Sequence, residues 1–385
     1  MKLLYLHSVP LDENLANVIQ VIQMCQAFCK IGVETTLAVP RSNKYSDKDV
    51  IAFVKKKLGR TPLFKIKTGP LYSLGRRRTA LGSMLGVRAV LKEANNYDYC
   101  YVRSIFMNRL ALSKGLKVIY ESHGSVLHIR YKILNYIYRL CLLRDTNTIN
   151  QVLFVAISQA LANVWQSCGV PETKIIALHD GVSAEDYKHA KNRDETRALL
   201  RIDSNKKIVV YSGSLYADRG IEVVLKLART FRSVIFYVVG GSEKEKKYYE
   251  SLAVQSSLQN ILFVGHIPQQ QVKDYLFAAD VLLMLWSRNV PTINICSPLK
   301  MFEYMAAGRI IVGHGFPTIK EVLKDGKTAL LTDPDSYDDL EGRLRYALSL
   351  DYPNDMAQKA RNIALSKYSW EIRAKNIVNE LRLRT

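Results

Sequence analysis

The sequence predicts an α/β protein of two Rossmann-like domains facing each other across a cleft, and three observations carry that expectation. A chain of 385 residues exceeds what one hydrophobic core usually holds, so two domains somewhat under about 200 residues each are expected. The chain opens as strand, helix, strand: Lys2–Val9, then Ala16–Ile31 with apolar residues at helical spacing stopping before Gly32, then Thr35–Val39. The second half repeats a strand-to-glycine-to-helix junction, the signature of a parallel sheet whose carboxyl edge carries the ligand.

Composition narrows the class of partner. Hydrophobic residues make up 48% and charged residues 23%, an ordinary soluble mixture. The net charge of +20 is not ordinary, and residues 1–190 hold 26 Lys/Arg against 13 Asp/Glu, so the excess is concentrated in the first half. Nucleic acid, an anionic membrane surface and an anionic substrate compete to explain it. Nucleic acid is disfavoured, because the basic segments lack interleaved aromatic stacking positions and no nucleic-acid motif appears. Six scattered cysteines without CxxC pairs or matching histidines suggest neither zinc nor a disulfide framework, and fit a reducing cytoplasm. MKLLYLHSV is too short for a signal peptide, and no stretch approaches the ~20 apolar residues of a membrane span. Membrane contact is therefore expected to be peripheral.

In the first half, Asp12-Glu13-Asn14 occupies the loop where a dinucleotide site would carry Gly-x-Gly-x-x-Gly, which argues against a diphosphate there. Lys55 to Arg78 reads as an exposed basic loop, either a solvated face or a landing surface for anionic headgroups, with a helix resuming near Ala80–Ala94. Tyr99–Arg103 and Val118–Glu121 read as strands. The second runs into Ser122-His123-Gly124, so His123 sits where catalytic side chains sit in open α/β sheets, although a lone loop histidine is more often structural. Residues 126–144 form an amphipathic helix read as core-facing, with membrane insertion as the minor alternative. Val152–Ile157 is a strand, Ser158 caps the helix Gln159–Ser167, Ile175–Leu178 closes the sheet, and the polar stretch after His179-Asp180-Gly181-Val182, through Arg193, reads as a linker.

The second series begins at Ile208. IVVYSGS runs into Tyr216-Ala217-Asp218-Arg219-Gly220 and the helix Ile221–Thr230, which places Arg219 near a helix start at a strand end, suited to a phosphate. Val234–Val239 ends in Gly240-Gly241, and Ile261–Val264 ends in Gly265-His266. Ile310–Val312 and Ala329–Thr332 are further strands. A helix from Thr318 to Leu323 and helices from Ser336, Asp355 and Trp370 complete the chain.

Residues 280–308 are the most informative stretch. Val281–Leu285 is an apolar run suited to a buried parallel strand, and Ser297-Pro298 reads as a helix start, with Ser as the cap and Pro in the first turn. The free N–H groups of such a helix, at a strand's carboxyl end, favour an anion. Lys300 adds a full charge in that turn. Glu303, one turn on, is left for sugar hydroxyls. Phosphate plus ribose describes a nucleotide; the alternative is a capped surface helix with an ordinary Lys/Glu pair.

Taken in order, Gly213-x-Leu215 with Arg219-Gly220, Gly240, Gly265, Asp280, Ser297-Pro298, Glu303-Tyr304-Met305-Ala306-x-Gly308, and Glu321 with Asp325-Gly326 carry a resemblance. The sequence resembles the retaining GT-B glycosyltransferases of glycosyltransferase family 4 over nearly its whole length. The resemblance implies an acceptor-side domain over residues 1–188, a nucleotide-sugar domain over 189–368, and a final helix, 369–385, packing back on the first domain. It implies a UDP-sugar donor, with glucose the first expectation, and a hydroxyl acceptor on a polysaccharide or lipid-linked oligosaccharide. No further cofactor and no metal are implied.

For the site, the resemblance implies Arg219 and Lys300 on the diphosphate with the backbone of Ser297, Pro298 and Leu299, Glu303 on the ribose, and His266 near the base. Gly213, Ser214, Gly240 and Gly265 line the donor pocket, and His123 contacts the donor sugar. The chain also departs from the pattern. Where the family often has the first acid of Glu-x7-Glu, this chain has Ile295, which leaves donor-sugar contacts to backbone or to Asn294. The frequent Arg after Gly213 is Ser214, the usual Lys before Gly220 is Arg219, and the first-loop glycine pair is missing. A nucleotide-sugar epimerase of similar build is the alternative activity. A cytoplasmic location, peripheral on the inner face of the cytoplasmic membrane, is expected.

Overall fold

The computed structural model describes residues 1–11, 16–40, 46–69, 87, 90–124, 132–189 and 191–384. The Asp12-Glu13-Asn14 loop and residues 70–78 of the basic stretch lie outside them. The chain divides into two compact units, Met1–Asp180 with Trp370–Thr385, and Gly181–Ser369. Each is a parallel sheet flanked by helices.

Among the described residues the first unit holds β1 (Lys2–Leu6), β2 (Glu34–Pro40), β3 (Lys65–Gly69), β4 (Tyr99–Val102), β5 (Val118–Ser122), β6 (Gln151–Ala156) and β7 (Ile175–Ala177), in the order β3-β2-β1-β4-β5-β6-β7. The inner strands are buried along their length, as the five-residue VIYES of β5 shows, because helices cover both faces of a parallel sheet. Leu6 pairs with Val102 and Val102 with Tyr120. His7, Arg103 and the Glu121-Ser122-His123 segment therefore emerge together along one carboxyl edge, at the β1/β4 point where strand order reverses.

Sequence expectation and structure differ at three places in this unit. The Lys55–Arg78 stretch is not a loop as far as it is described: Lys55, Lys56 and Lys57 fill the last turn of a helix, Asp47–Leu58, begun by a Ser46/Asp49 capping box and ended by Gly59 in the left-handed region. Three cations at a helix carboxyl end answer its dipole. Lys65 and Lys67 then alternate with Ile66 and Thr68 on the edge strand β3, paired with Glu34 at 2.9 Å and Glu93 at 2.5 Å. Of the expected 80–94 helix, residues 80–86 and 88–89 lie outside the described residues, Val87 is helical, and Val90–Asn96 is a 3₁₀ segment. The helix Lys132–Thr146 is packed on one side only. Leu142 is buried and Tyr138 meets Phe106 edge-on at 5.5 Å, whereas Ile133, Leu134, Tyr136, Ile137 and Leu140 are exposed.

The final helix, Trp370–Leu383, belongs to this first unit and packs on the helix Ala16–Lys30. A buried charge cluster anchors it. Arg373 Nη2 donates to Glu121 Oε2 at 2.8 Å, and the same carboxylate accepts from Tyr101 and, at 3.3 Å, from Gln20. Burial alone would raise the Glu121 carboxyl; Arg373, His123 and Arg103 more than offset it and hold the group below the ordinary carboxylate range.

The second unit holds β8 (Ile208–Ser212), β9 (Ile235–Val239), β10 (Ile261–Gly265), β11 (Val281–Met284), β12 (Ile310–His314) and β13 (Leu330–Thr332), in the order β10-β9-β8-β11-β12-β13. Strand order reverses between β8 and β11. The stretch after Gly181 is more than a linker. It contains the helices Ala184–Tyr187 and Arg193–Leu200, Tyr187 is buried in the core of this unit, and Val182 N–H donates to the Tyr368 carbonyl at 2.9 Å.

Removing one partner of a buried pair leaves the other charge uncompensated. Arg373→Ala is expected to destabilise the first unit by about 3–5 kcal/mol, read from its urea midpoint through Trp165 and Trp370. Lys30→Ala, which breaks the more exposed pair with Glu371, is expected to cost at most about 1 kcal/mol.

Candidate functional site

The carboxyl ends of β8, β9 and β10 carry glycines at positive φ, and at Gly240 the neighbouring backbone leaves no room for a side chain. Gly213, Gly240 and Gly265 have φ of +143°, +119° and +81°. Gly213 N–H donates to the Val239 carbonyl at 2.9 Å and Gly240 N–H to the Gly265 carbonyl at 2.8 Å. A Cβ on Gly240 would stand 2.1 Å from the Gly213 carbonyl oxygen. The result is a stepped, side-chain-free floor along the sheet edge.

Lys300 lies over this floor. A Cβ at Gly213 would stand 2.7 Å from Lys300 Nζ, and the ammonium faces the Tyr211 ring at 4.1 Å and the Trp286 ring at 5.1 Å. The two aromatic faces attract the cation. Burial, with Arg219 adding like-charge repulsion, still pushes the Lys300 amine down to about 7. A cation depressed by burial and a like charge is poised for an anion.

Arg219 is placed by its loop. Tyr211 Oη donates to the carbonyls of Ser214 and Arg219, each at 3.1 Å, so the ring under Lys300 also holds the loop that carries the second cation. Ser287 N–H donates to the Asp218 carbonyl at 2.9 Å and Asn289 Nδ2 to Asp218 Oδ1 at 3.1 Å, tying this loop to the one after β11. Gly220, with φ +85°, starts the helix Ile221–Thr230.

The helix Leu299–Ala307 differs from expectation at its start. Its cap is Pro298, which offers no side-chain acceptor, so Ser297 is one residue too early to be the cap. Ser297 is buried, and the backbone N–H groups of Leu299 and Lys300 open the first turn. The helix is locked to the end of β8 by Tyr304, whose Oη accepts from Ser212 N–H at 2.7 Å. Glu303 accepts from Gln269 Nε2 at 2.5 Å. Burial raises its carboxyl to about 7 against the pull of Lys273 and Lys300. Ser214 is half-buried, while His266 and Asn294 are exposed.

His123 belongs to the first unit. Arg103 donates to its Nε2 from Nε at 3.0 Å and reaches it from Nη2 at 2.7 Å; the same nitrogen lies 2.6 Å from Glu121 Oε1. One nitrogen either accepts from the guanidinium or donates to the carboxylate. Burial and then Arg103 push the imidazole down to about 4, so it is neutral at physiological pH. His7, beside it on the edge, is pushed down to about 3 by the same causes.

The second unit thus brings Arg219, Lys300, Glu303, Gly213 and Gly240 to one sheet edge. Sequence reasoning missed Tyr211, Trp286 and Gln269 there, and Arg103 and Arg373 in the first unit. Tyr211 reads as a strand residue and Trp286 as the first residue after one, and nothing local marks their faces as meeting one lysine.

Two Rossmann-like units with a glycine-floored, cation-bearing edge define the class, and comparison with known proteins agrees. The fold is shared over the full chain with sucrose-phosphate synthase from Thermosynechococcus elongatus (TM-score 0.77, 15% identity, 98% of that chain covered). HepE from Anabaena in complex with UDP and glucose matches with a TM-score of 0.74 at 16% identity, over 99% of each chain. Residues 18–186 match the model for Glycosyltransferase Family 4, and residues 192–363 that for Glycosyl transferases group 1. The chain belongs to these group 1/family 4 glycosyltransferases of GT-B fold. Among curated relatives, the lipopolysaccharide 1,2-N-acetylglucosaminetransferase of Salmonella typhimurium is 26% identical over 55% of this chain and 58% of its own length. The processive diacylglycerol alpha-glucosyltransferase of Acholeplasma laidlawii is 22% identical over 51% and 61%. The chain therefore spans little more than half the length of these relatives.

Gly240→Ala forces a side chain into the Gly213 carbonyl at a strained φ. It is expected to destabilise the second unit by about 2–4 kcal/mol, seen as a lower melting temperature. Gly342→Ala is the control. It lies in the helix Tyr337–Ser349 with open space around its Cβ, and is expected to stabilise by about 0.5–1 kcal/mol.

Proposed function

We propose that the chain is a retaining hexosyltransferase that moves a hexose, glucose first, from a UDP-sugar to a hydroxyl of a polysaccharide or lipid-linked oligosaccharide. The observation that carries this reading is Lys300 lying over the glycine floor at Gly213, with Arg219 close enough to depress it. A nucleotide diphosphate supplies the charge this arrangement lacks, and the leaving group of a UDP-sugar is such a diphosphate. The glycine floor admits its oxygens to backbone N–H groups.

In this reading the Leu299 and Lys300 amides share the diphosphate with Lys300 Nζ and Arg219. Glu303, oriented by Gln269, accepts from the ribose hydroxyls, and the end of β10 at Gly265 and His266 serves the base. His123 serves the donor sugar. The two cations and the helix start stabilise the negative charge that develops as the sugar–phosphate bond breaks, the work a divalent ion performs in other sites. The acceptor hydroxyl attacks from the face the diphosphate leaves, which retains configuration. UDP complexes of HepE and the glucosyltransferase relative support a UDP-glucose donor. The N-acetylglucosaminetransferase relative supports UDP-N-acetylglucosamine as the second candidate.

A thermal-shift panel of UDP-, GDP- and ADP-sugars tests the donor. A matching ligand at a hundredfold excess over its Kd stabilises by about 2.7 kcal/mol, and UDP-glucose is expected to give the largest shift. Incubation of the donor alone separates transferase from epimerase, since only an epimerase converts it without an acceptor.

Arg219→Ala and Lys300→Ala are each expected to lower kcat by about two orders of magnitude; near-normal turnover in either removes that residue from the site. Free Lys300 titrates at about 7, and a bound diphosphate raises it. At about pH 8 the amine is mostly neutral when free and charged when bound, so UDP binding takes up close to one proton; below about pH 6 it takes up almost none. Calorimetry in buffers of different ionisation enthalpy measures this, and Lys300→Met is expected to abolish the uptake.

A further inference from the structure

The helix Lys132–Thr146 presents its apolar side outward. At 3.6 residues per turn, Ile133, Ile137, Leu140 and Arg144 form one stripe, with Tyr136 and Leu134 on either flank. All are exposed, the apolar ones between 40% for Leu134 and 75% for Ile133. The opposite side, Leu142 and Tyr138, does the packing. Scattered exposed apolar residues are ordinary on a protein surface; five large ones on one helix face are not.

Charge says what covers this face. Arg144 stands inside the apolar stripe, and Arg139 lies against the Tyr136 ring at 5.9 Å. From Tyr99 to Thr146 the chain carries eight Lys/Arg and two acids, Glu121 and Asp145, both buried. On the adjoining helix Ile105–Leu112, Arg109 is exposed and lies 4.0 Å from the buried Asp145 carboxylate. Apolar side chains interleaved with cations, without exposed acids, match the boundary between anionic headgroups and acyl chains. A second copy of a chain with net charge +20 would bring like charge against like charge.

We infer that the exposed face of the helix Lys132–Thr146 docks the first unit on an anionic lipid surface, with Ile133, Ile137 and Leu140 entering the acyl boundary and Arg144 meeting headgroup phosphates. This surface lies in the first unit and does not depend on the donor and acceptor proposed above. No helix among the described residues is long and apolar enough to cross a membrane, so the contact is lateral and reversible.

Vesicle co-sedimentation of the full chain tests it, with vesicles of phosphatidylcholine alone and of equal parts phosphatidylcholine and phosphatidylglycerol. The wild-type chain is expected to bind the anionic vesicles and to leave the neutral ones. The triple variant Ile133→Ser, Ile137→Ser, Leu140→Ser is expected to lose at least about tenfold in affinity, and Arg144→Glu about fivefold or more. Both are expected to keep the melting temperature and UDP affinity of the wild type, because these positions are exposed. Ile137→Trp is expected to show a blue-shifted emission on anionic vesicles. General attraction of a basic protein to anionic lipid would leave the triple variant binding as the wild type does, which overturns the inference. Failure of the wild type to bind, or a lipid-free dimer that the triple variant dissolves, overturns it as well.

Discussion

The second unit depends on how Lys300 is held. Its ammonium rests on a floor that only glycine can form, between two aromatic faces, with a guanidinium near enough to repel it. Aromatic quadrupoles and Glu303 lessen the cost of burying the cation without cancelling it, which is why the amine falls to about 7. Much of the neighbouring structure follows from keeping that arrangement in place. Tyr211 serves both as the platform for Lys300 and as the tether of the Arg219 loop, and Tyr304, past the middle of the lysine-bearing helix, ties that helix to the end of β8. Two cations stand near each other in this site, and the proposed diphosphate would supply the opposing charge.

The first unit handles buried charge differently. Glu121 collects donors from Tyr101, Gln20 and Arg373 and lies beside His123 and Arg103, so its charge is compensated within the unit. One of those donors comes from the last helix of the chain. The final segment is therefore part of the first unit's polar core as well as part of its surface packing. His123 is coupled to the same cluster, and any group that engages Arg103 or Glu121 alters which hydrogen bond its Nε2 can make.

What could be read from the sequence was what is local. The strand-to-glycine junctions, the buried runs of β8 and β11, and the positions of Arg219, Lys300 and Glu303 are marked by spacing alone. The aromatic pair around Lys300 was not legible, because Tyr211 lies near the end of β8 and Trp286 just beyond β11, and only the parallel pairing of those strands makes them neighbours. Lys55–Lys57 were misread as loop because a run of like charge resembles one, although the Ser46/Asp49 box upstream and Gly59 downstream mark a helix. The helix Lys132–Thr146 was misjudged for another reason. Helical periodicity shows that two faces differ, and it does not show which one meets the protein when apolar residues are found on both.

The central claim is that Lys300 and Arg219 together hold a diphosphate over the Gly213–Gly240 floor. A crystal structure of the protein with UDP bound tests it most directly. The β-phosphate is expected within about 3 Å of Lys300 Nζ and of the Arg219 guanidinium, with the first-turn amides of Leu299 and Lys300 facing the same oxygens. Nucleotide density at another edge of the sheet, or a diphosphate that neither cation touches, would contradict the account.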